Sequence, residues 1–164
     1  MRAADVFDLI DRLNDAGVVA WLDGGWAVDA LLGRETRPHS DLDLAMDGAT
    51  LDRAVALLTR DGFTVLRDDL PAAVAYRHPD GREVDLHPLV RTPDGGGDQA
   101  QPDGTWWHYG APVTGTIDGR PVPCCDLDTQ LRAHVGYPPR DTDRADVAAL
   151  AAAFGIEPPE PYRS

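Results

Sequence analysis

Residues 24–43 read GGWAVDALLGRETRPHSDLD, and the end of this stretch decides the fold. From Asp41 to Met46, polar or small residues alternate with large apolar ones, and this period of two predicts a strand with one apolar face. Asp41 and Asp43 therefore share the other face, where two carboxylates can hold one hard cation. A solvated strand face is the alternative interpretation of the pair taken alone, although two like charges repel unless a cation or an arginine neutralises them.

The start of the same stretch has the composition of a phosphate-binding turn. Gly24 and Gly25 precede a helix predicted for residues 26–32, and glycine lets backbone N–H groups approach a phosphate at the positive end of a helix. In the polar loop that follows, Arg37 and His39 could meet the oxygens of a triphosphate. In the alternative interpretation, Gly24-Gly25 is an ordinary turn, and Arg37 and His39 are exposed loop residues that bind no ligand.

A second alternating segment, residues 83–89, predicts another strand and supplies Asp85 and His87. In magnesium sites for phosphoryl transfer, the protein usually provides carboxylates from two strands as metal ligands. One of these carboxylates can also deprotonate the attacking hydroxyl. Asp85 is the candidate third carboxylate. For His87, a structural hydrogen bond near Pro88 and a contact with substrate or phosphate both remain open.

The rest of the chain predicts an α/β or α+β fold, with a mixed β-sheet flanked by helices and a short C-terminal helical segment. Residues 93–104 are rich in glycine and lack periodicity, so we expect a loop there. Asp118-Gly119 is a strong hairpin signal. The predicted helices span 4–16, 51–60, 128–135 and 143–154, and the other predicted strands span 18–22, 63–66, 73–77, 113–117 and 120–124.

The amino-acid composition argues against several classes of protein. The chain has 164 residues, 43% of them apolar and 26% charged, as expected for one ordinary domain. No apolar run is long enough for a membrane span, and acids interrupt the first residues, so we expect neither a membrane partner nor a secretory signal and take the cytoplasm as the default location. A net charge of −13 argues against a nucleic-acid partner.

Taken together, these residues resemble the DNA polymerase beta type nucleotidyltransferase superfamily, whose signature is a Gly-Gly or Gly-Ser turn, a short helix and a strand with Asp-x-Asp. The string at 24–43 most resembles the lincosamide nucleotidyltransferases and the aminoglycoside 2″-adenylyltransferases. Two departures from the superfamily pattern, Gly25 in place of serine and fifteen residues between it and Asp41, are shared with that branch. The resemblance continues in VDLHPL at 84–89, in GRPV at 119–122, and in Gly-Tyr at 136–137 followed by Arg140, Asp143 and Asp146.

The resemblance implies transfer of AMP from ATP to a hydroxyl of a small molecule, a lincosamide or an aminoglycoside. Asp41 and Asp43 would bind two Mg²⁺ ions and the triphosphate, and Asp85 would act as base, metal ligand or both. Gly24 and Gly25 would contact phosphates. Residues 1–92 would form the nucleotidyltransferase core, and residues 93–164 would complete the acceptor side of the same compact unit.

Aromatic residues after the glycine-rich loop are candidates for the acceptor pocket, since aromatic faces suit sugar and alkyl groups. These are Trp106, Trp107 and Tyr109, with Tyr137 and Arg140 as further candidates, and core packing is the alternative for each. A homodimer could complete the acceptor cleft. A natural-product or protein acceptor, and a non-catalytic binding domain, are the alternative functions.

Overall fold

A nine-stranded mixed β-sheet with five α-helices forms the molecule, described for residues 1–163 in a computed structural model. In chain order the elements are α1 (Ala3–Asp15), β1 (Ala20–Asp23), α2 (Gly24–Leu32), β2 (Asp41–Asp47), α3 (Leu51–Arg60), β3 (Thr64–Asp69), β4 (Ala73–Arg77), β5 (Glu83–Arg91), β6 (Gly97–Ala100), β7 (Trp106–Tyr109), β8 (Val113–Ile117), β9 (Arg120–Cys124), α4 (Leu127–Ala133) and α5 (Asp141–Phe154). A single 3₁₀ turn, Gly48–Thr50, leads into α3. The predicted mixed sheet with flanking helices is confirmed.

Strand β2 lies at the centre of the sheet, whose main order is β3-β4-β5-β2-β1-β9-β8. It pairs antiparallel with β1 and parallel with β5, and the register places Asp23 beside Asp43 and Asp43 beside Asp85. Leu42 and Leu44, on the opposite face of β2, are fully buried. The alternation read from the sequence therefore becomes a dry face and an acidic face.

Helices α1 and α3 each bury one apolar stripe in the core, as their periodicity predicts. Leu9 and Leu13 of α1 and Leu57 and Leu58 of α3 belong to this core, and each such side chain contributes about 1.5–3 kcal/mol when fully buried. No α-helix within residues 1–163 is long and apolar enough to cross a membrane.

The segment predicted as a loop over residues 93–104 contains a strand, so this prediction is wrong in part. Strand β6 pairs antiparallel with the end of β5 and with β7, and together they form a small extension of the sheet. Gly97 allows this pairing, because a Cβ there would lie 2.8 Å from the Cβ of Leu89. A four-residue strand that begins with glycine carries too little pattern for its period to be recognised.

The predicted hairpin of β8 and β9 is present, and it belongs to the main sheet. Leu22 of β1 pairs in parallel with Cys124 of β9, so the second half of the chain closes against the first strand. The backbone N–H of Cys125 also donates to the carbonyl of Leu22 at 2.8 Å. This return brings α4 and β7 to the end of β1, where the acidic face begins.

Candidate active site

Two carboxylates and one histidine form a compact group on the acidic face of the sheet. One potential ligand atom from each of Asp43, Asp85 and His87 lies within 4.8 Å of the others. Parallel pairing of β2 with β5 places Asp43 and Asp85 side by side, and His87 follows two residues later on the same face. Asp41 is more exposed and lies outside this group, on the wall of the cleft described below.

The two oxygens of Asp85 have different surroundings. Oδ2 accepts a hydrogen bond from Arg67 at 2.6 Å, whereas Oδ1 is buried and has no hydrogen-bond partner within residues 1–163. Burial, with the charge of Asp43 beside it, raises the pKa of Asp85 despite the opposing effects of His87 and Arg67. An unpartnered buried carboxylate oxygen beside a second carboxylate fits a hard divalent cation, which takes oxygen ligands.

His87 is also tuned by its surroundings. Burial disfavours its charged form, but the nearby carboxylates of Asp43, Asp23 and Asp85 outweigh burial, and the pKa of His87 is raised. Its Nε2 lies 3.8 Å from Oδ1 of Asp43, which is longer than a hydrogen bond.

The Gly24-Gly25 turn forms the start of α2, directly beside the acidic group. Gly24 adopts φ +54°, and a Cβ at this position would overlap the carboxylate of Asp43. A Cβ on Gly25 would lie 2.6 Å from Nδ1 of His39 and 2.7 Å from the guanidinium of Arg37. Both glycines therefore let other site residues approach the helix N-terminus.

Arg37 is held at the wall of the cleft by two elements. Its Nε and one terminal nitrogen donate to the carboxylate of Asp146 on α5 at 3.2 and 2.8 Å, and these bonds raise the pKa of Arg37. Its other terminal nitrogen lies 3.1 Å from Nδ1 of His39. Arg37 is one of the residues that line the cleft.

The sequence suggested His39 as a nucleotide contact, but the structure places it beneath the cleft. His39 is 4% exposed, its Nε2 lies 2.6 Å from Oδ2 of Asp29, and its ring packs at 4.5 Å from that of Trp26. Asp29 is fully buried and also accepts from the backbone N–H and the hydroxyl of Thr36. With both ring nitrogens engaged, His39 is placed to support Arg37 rather than to face a ligand.

Asp23 is a site residue that the sequence analysis missed. It is buried and accepts hydrogen bonds from the backbone N–H of Gly24 at 2.8 Å, the hydroxyl of Tyr109 at 3.0 Å and the side-chain amide of Gln130 at 2.7 Å. It thus connects β1 with α2, β7 and α4. The available signal was a single aspartate between an apolar strand and Gly-Gly, which also reads as ordinary turn chemistry.

Two cavities meet at His87 of this group. The first, about 410 Å³, is bounded by the glycine turn, the start of β2, α4 and α5. The second, about 490 Å³, lies beside it between β6, β7 and the end of α4. His87, Tyr109 and Ala133 line both. The first cavity is also lined by Asp23, Gly24, Gly25, Arg37, Ser40, Asp41, Asp43, Gln130, His134, Tyr137, Arg140, Thr142, Asp143 and Asp146.

The residues suggested for the acceptor pocket fall in different places. Trp107 lines the second cavity, while Tyr137 and Arg140 line the first, near the acidic group. Tyr109 is buried at the boundary, and burial, with the charge of Asp23 beside it, raises its pKa well above the usual value. Trp106 is 59% exposed and, within residues 1–163, is not among the residues that line either cavity.

Comparison with known proteins gives consistent matches. The family model described as aminoglycoside-2″-adenylyltransferase matches residues 5–150. A lincosamide resistance protein of Staphylococcus haemolyticus is 29% identical over 148 residues, which are 89% of this chain and 92% of that protein. A 2″-aminoglycoside nucleotidyltransferase of Escherichia coli is 32% identical over 63 residues, 38% of this chain and 36% of that protein.

Among solved structures, the lincosamide antibiotic adenylyltransferase LnuA, crystallised with lincomycin, superimposes with a TM-score of 0.83 at 28% identity. The match covers 93% of this chain and 98% of LnuA. The resemblance proposed from the sequence is confirmed. The chain therefore belongs to the aminoglycoside-2″-adenylyltransferase family, and it is a nucleotidyltransferase.

Proposed function

We propose that the protein transfers AMP from ATP to a hydroxyl of a small antibiotic, with Mg²⁺ as the required metal. The observation that carries this proposal is the position of His87, which lines both cavities and has a ring nitrogen within 4.8 Å of carboxylate oxygens of Asp43 and Asp85. One cavity contains the glycine turn and two arginines, and the other contains aromatic and amide side chains. A nucleotide in the first and an acceptor in the second would place both reacting groups beside the carboxylates.

Asp43, with Asp41 and Asp85, would hold Mg²⁺ through carboxylate oxygens, as hard cations prefer. When bound, the metal would neutralise charge on the phosphates and act as a Lewis acid. The cleft needs the positive charge of the metal, because five aspartates and two arginines line it. Its acidic side chains are Asp23, Asp41, Asp43, Asp143 and Asp146.

The backbone N–H groups at the start of α2 and the guanidiniums of Arg37 and Arg140 are the phosphate contacts we propose. The hydroxyl oxygen of the acceptor attacks the α-phosphorus of ATP, the bond to the β-phosphate oxygen breaks, and pyrophosphate leaves. Asp85 is the proposed base that takes the proton of the hydroxyl. The burial that raises the pKa of Asp85 suits that role.

We propose that the acceptor is a lincosamide in preference to an aminoglycoside. The second cavity presents the indole of Trp107, the amides of Gln99 and Gln101, and one carboxylate, Asp69. Arg132 also lines it and lies 4.9 Å from the Trp107 ring. A molecule with hydroxyls, an alkyl part and a single amine fits this lining better than a polycation, which would need several carboxylates.

Residues 93–164 supply most of the lining of the second cavity, and we propose that they complete the acceptor side of the site. The proposed assembly is a homodimer. ATP is the proposed co-substrate, and the cytoplasm is therefore the proposed location.

Mass spectrometry tests this function directly. The protein is incubated with ATP, Mg²⁺ and a panel of lincosamides and aminoglycosides, and we expect a lincosamide product heavier by one AMP, with release of pyrophosphate. Asp43→Asn should remove the product, whereas Asp47→Asn, at the far end of the same strand, should retain it. Absence of any product across the panel, or full activity of Asp43→Asn, would contradict the proposal.

A further inference from the structure

Three side chains form a chain of hydrogen bonds that ends at His87. The amide nitrogen of Gln101 donates to the amide oxygen of Gln99 at 2.9 Å, and the amide nitrogen of Gln99 donates to the backbone carbonyl of Ala72 at 2.7 Å. The same nitrogen of Gln99 lies 3.0 Å from Nδ1 of His87. All of these residues line the second cavity.

The carbonyl of Ala72 fixes the polarity of this chain. A backbone carbonyl can only accept, so the atom of Gln99 that lies 2.7 Å from it must be the nitrogen. In the neutral imidazole, that nitrogen donates its second hydrogen to Nδ1 of His87. The neutral imidazole therefore carries its proton on Nε2, and the charged imidazole carries one there as well.

We propose that His87 is a hydrogen-bond donor to the reacting groups and not a metal ligand, and that Gln99 is the positioning residue that fixes this polarity. Metal coordination requires an unprotonated nitrogen, and Nε2, the nitrogen that faces Asp43, is the protonated one. The recipient is an oxygen where the two cavities meet, either on the phosphate being transferred or on the hydroxyl that receives it. This inference rests on the proposed function.

The protonated ring nitrogen of His87 can be identified by NMR without any enzymatic reaction. Long-range proton–nitrogen NMR on the protein labelled at histidine nitrogens should show Nε2 of His87 protonated across the neutral pH range. Gln99→Leu should release the constraint and allow the other tautomer. Gln101→Leu is the matched control, because Ala72 still orients the Gln99 amide in that variant. An unprotonated Nε2 in the native protein would overturn the proposal.

Metal affinity separates a donor from a ligand. Calorimetric titration with Mn²⁺ alone should give His87→Ala an affinity within about twofold of the native protein, because no coordinating atom is lost, whereas Asp43→Asn should lose most of its affinity. Equal losses in the two variants would make His87 a ligand and overturn the proposal. His78→Gln, in the turn after β4, serves as the control for a histidine remote from the site.

Turnover then tests the donor itself. The amide nitrogen of glutamine can replace Nε2, so His87→Gln should keep kcat within about tenfold, while His87→Ala should lose about 100-fold, the usual effect of removing one transition-state donor. Equal kcat values for His87→Ala and the native protein would overturn the proposal. Binding of a non-hydrolysable ATP analogue with Mg²⁺, and of the acceptor separately, shows which oxygen is recognised. If the native protein makes no product, the proposed function fails, while the NMR result still decides the polarity of His87.

Discussion

Asp43 lies so close to the start of α2 that residue 24 has no room for a side chain. Its left-handed φ of +54° is a second reason for glycine there. One residue thus satisfies two demands, the turn into the helix and the close approach of the Asp43 carboxylate to the start of that helix. This geometry places the acid and the proposed phosphate contacts side by side.

Gly24→Ala should therefore damage activity more than stability. We expect a loss of about 1–2 kcal/mol from the backbone conformation and a fall of about 100-fold in kcat/KM, because the Asp43 carboxylate must move. Gly33→Ala is a matched control, since Gly33 has φ +72° but no atom within 4 Å of the added Cβ. Chemical denaturation and steady-state kinetics measure both effects, and equal activities of the two variants would contradict this account.

The buried pair of Asp29 and His39 has a structural role at the residue scale. Removing the imidazole leaves the buried Asp29 carboxylate without one of its hydrogen-bond donors, so His39→Ala should destabilise the protein by about 3 kcal/mol in urea denaturation. His39→Gln keeps a donor for Asp29 and should lose less. A small loss of stability together with much weaker nucleotide binding would instead mean that His39 contacts the ligand.

At the scale of elements, the site depends on which strands and helices become neighbours. The parallel pairing of β2 and β5 brings Asp43 beside Asp85, and the antiparallel pairing with β1 adds Asp23. Helix α5 closes the cleft through the ion pair between Asp146 and Arg37, residues that are 109 positions apart. The cleft is therefore formed by both halves of the chain.

The start of α5 is fixed by Asp143. Its carboxylate accepts the backbone N–H of Arg140 at 2.9 Å and pairs with the Arg140 guanidinium. Burial opposes the charged form, but the bonds from Arg140 outweigh it and lower the pKa of Asp143 below its usual value. A lowered folded-state pKa stabilises the protein above the unfolded-state value, and this contribution is lost as the pH falls through the folded-state pKa.

Asp143→Ala should consequently lower the free energy of unfolding by about 1 kcal/mol at neutral pH, and by less in acid, where the contribution of the charged carboxylate is progressively lost. Urea denaturation at neutral pH and near pH 3 measures the difference. Asp141→Ala, in the same helical turn but exposed, should show a smaller change. A loss that is equal at both pH values would show that packing, not charge, explains the role of Asp143.

At the scale of the whole molecule, charge governs how a nucleotide can enter. The protein carries a net charge of −13, and the cleft itself has more acids than arginines. Free ATP, a polyanion, is repelled by such a field, whereas a metal complex of ATP is repelled less and gains carboxylate ligands. Metal dependence of binding is therefore a property of the whole surface as well as of Asp43.

Thermal unfolding tests this expectation. With Mg²⁺ and ATP at about 100 times Kd, ligand binding should stabilise the protein by about 2.7 kcal/mol and raise Tm by about 5–10 °C. ATP with a chelator should leave Tm nearly unchanged. An equal rise without the metal would contradict the electrostatic argument and would shift nucleotide recognition to Arg37 and Arg140.

The sequence by itself determined the local features of this protein. Apolar periodicity gave the main helices and strands, alternation placed Asp41 and Asp43 on one face of a strand, and the string at residues 24–43 identified the family. These features are readable because each depends on residues close together in the chain. Strand β6 was not predicted because it is only four residues long and begins with glycine, which leaves too short a pattern to recognise.

Only the tertiary structure decided which side chains meet. Asp23 binds Tyr109 and Gln130, which are 86 and 107 positions away along the chain. Asp146 binds Arg37 across 109 positions, and Gln99 contacts His87 across 12. Such contacts depend on strand order, register and helix docking, and no local pattern encodes these. For the same reason the sequence suggested His39 as a ligand contact, while the fold buried it against Asp29 and left Arg37 at the cleft wall.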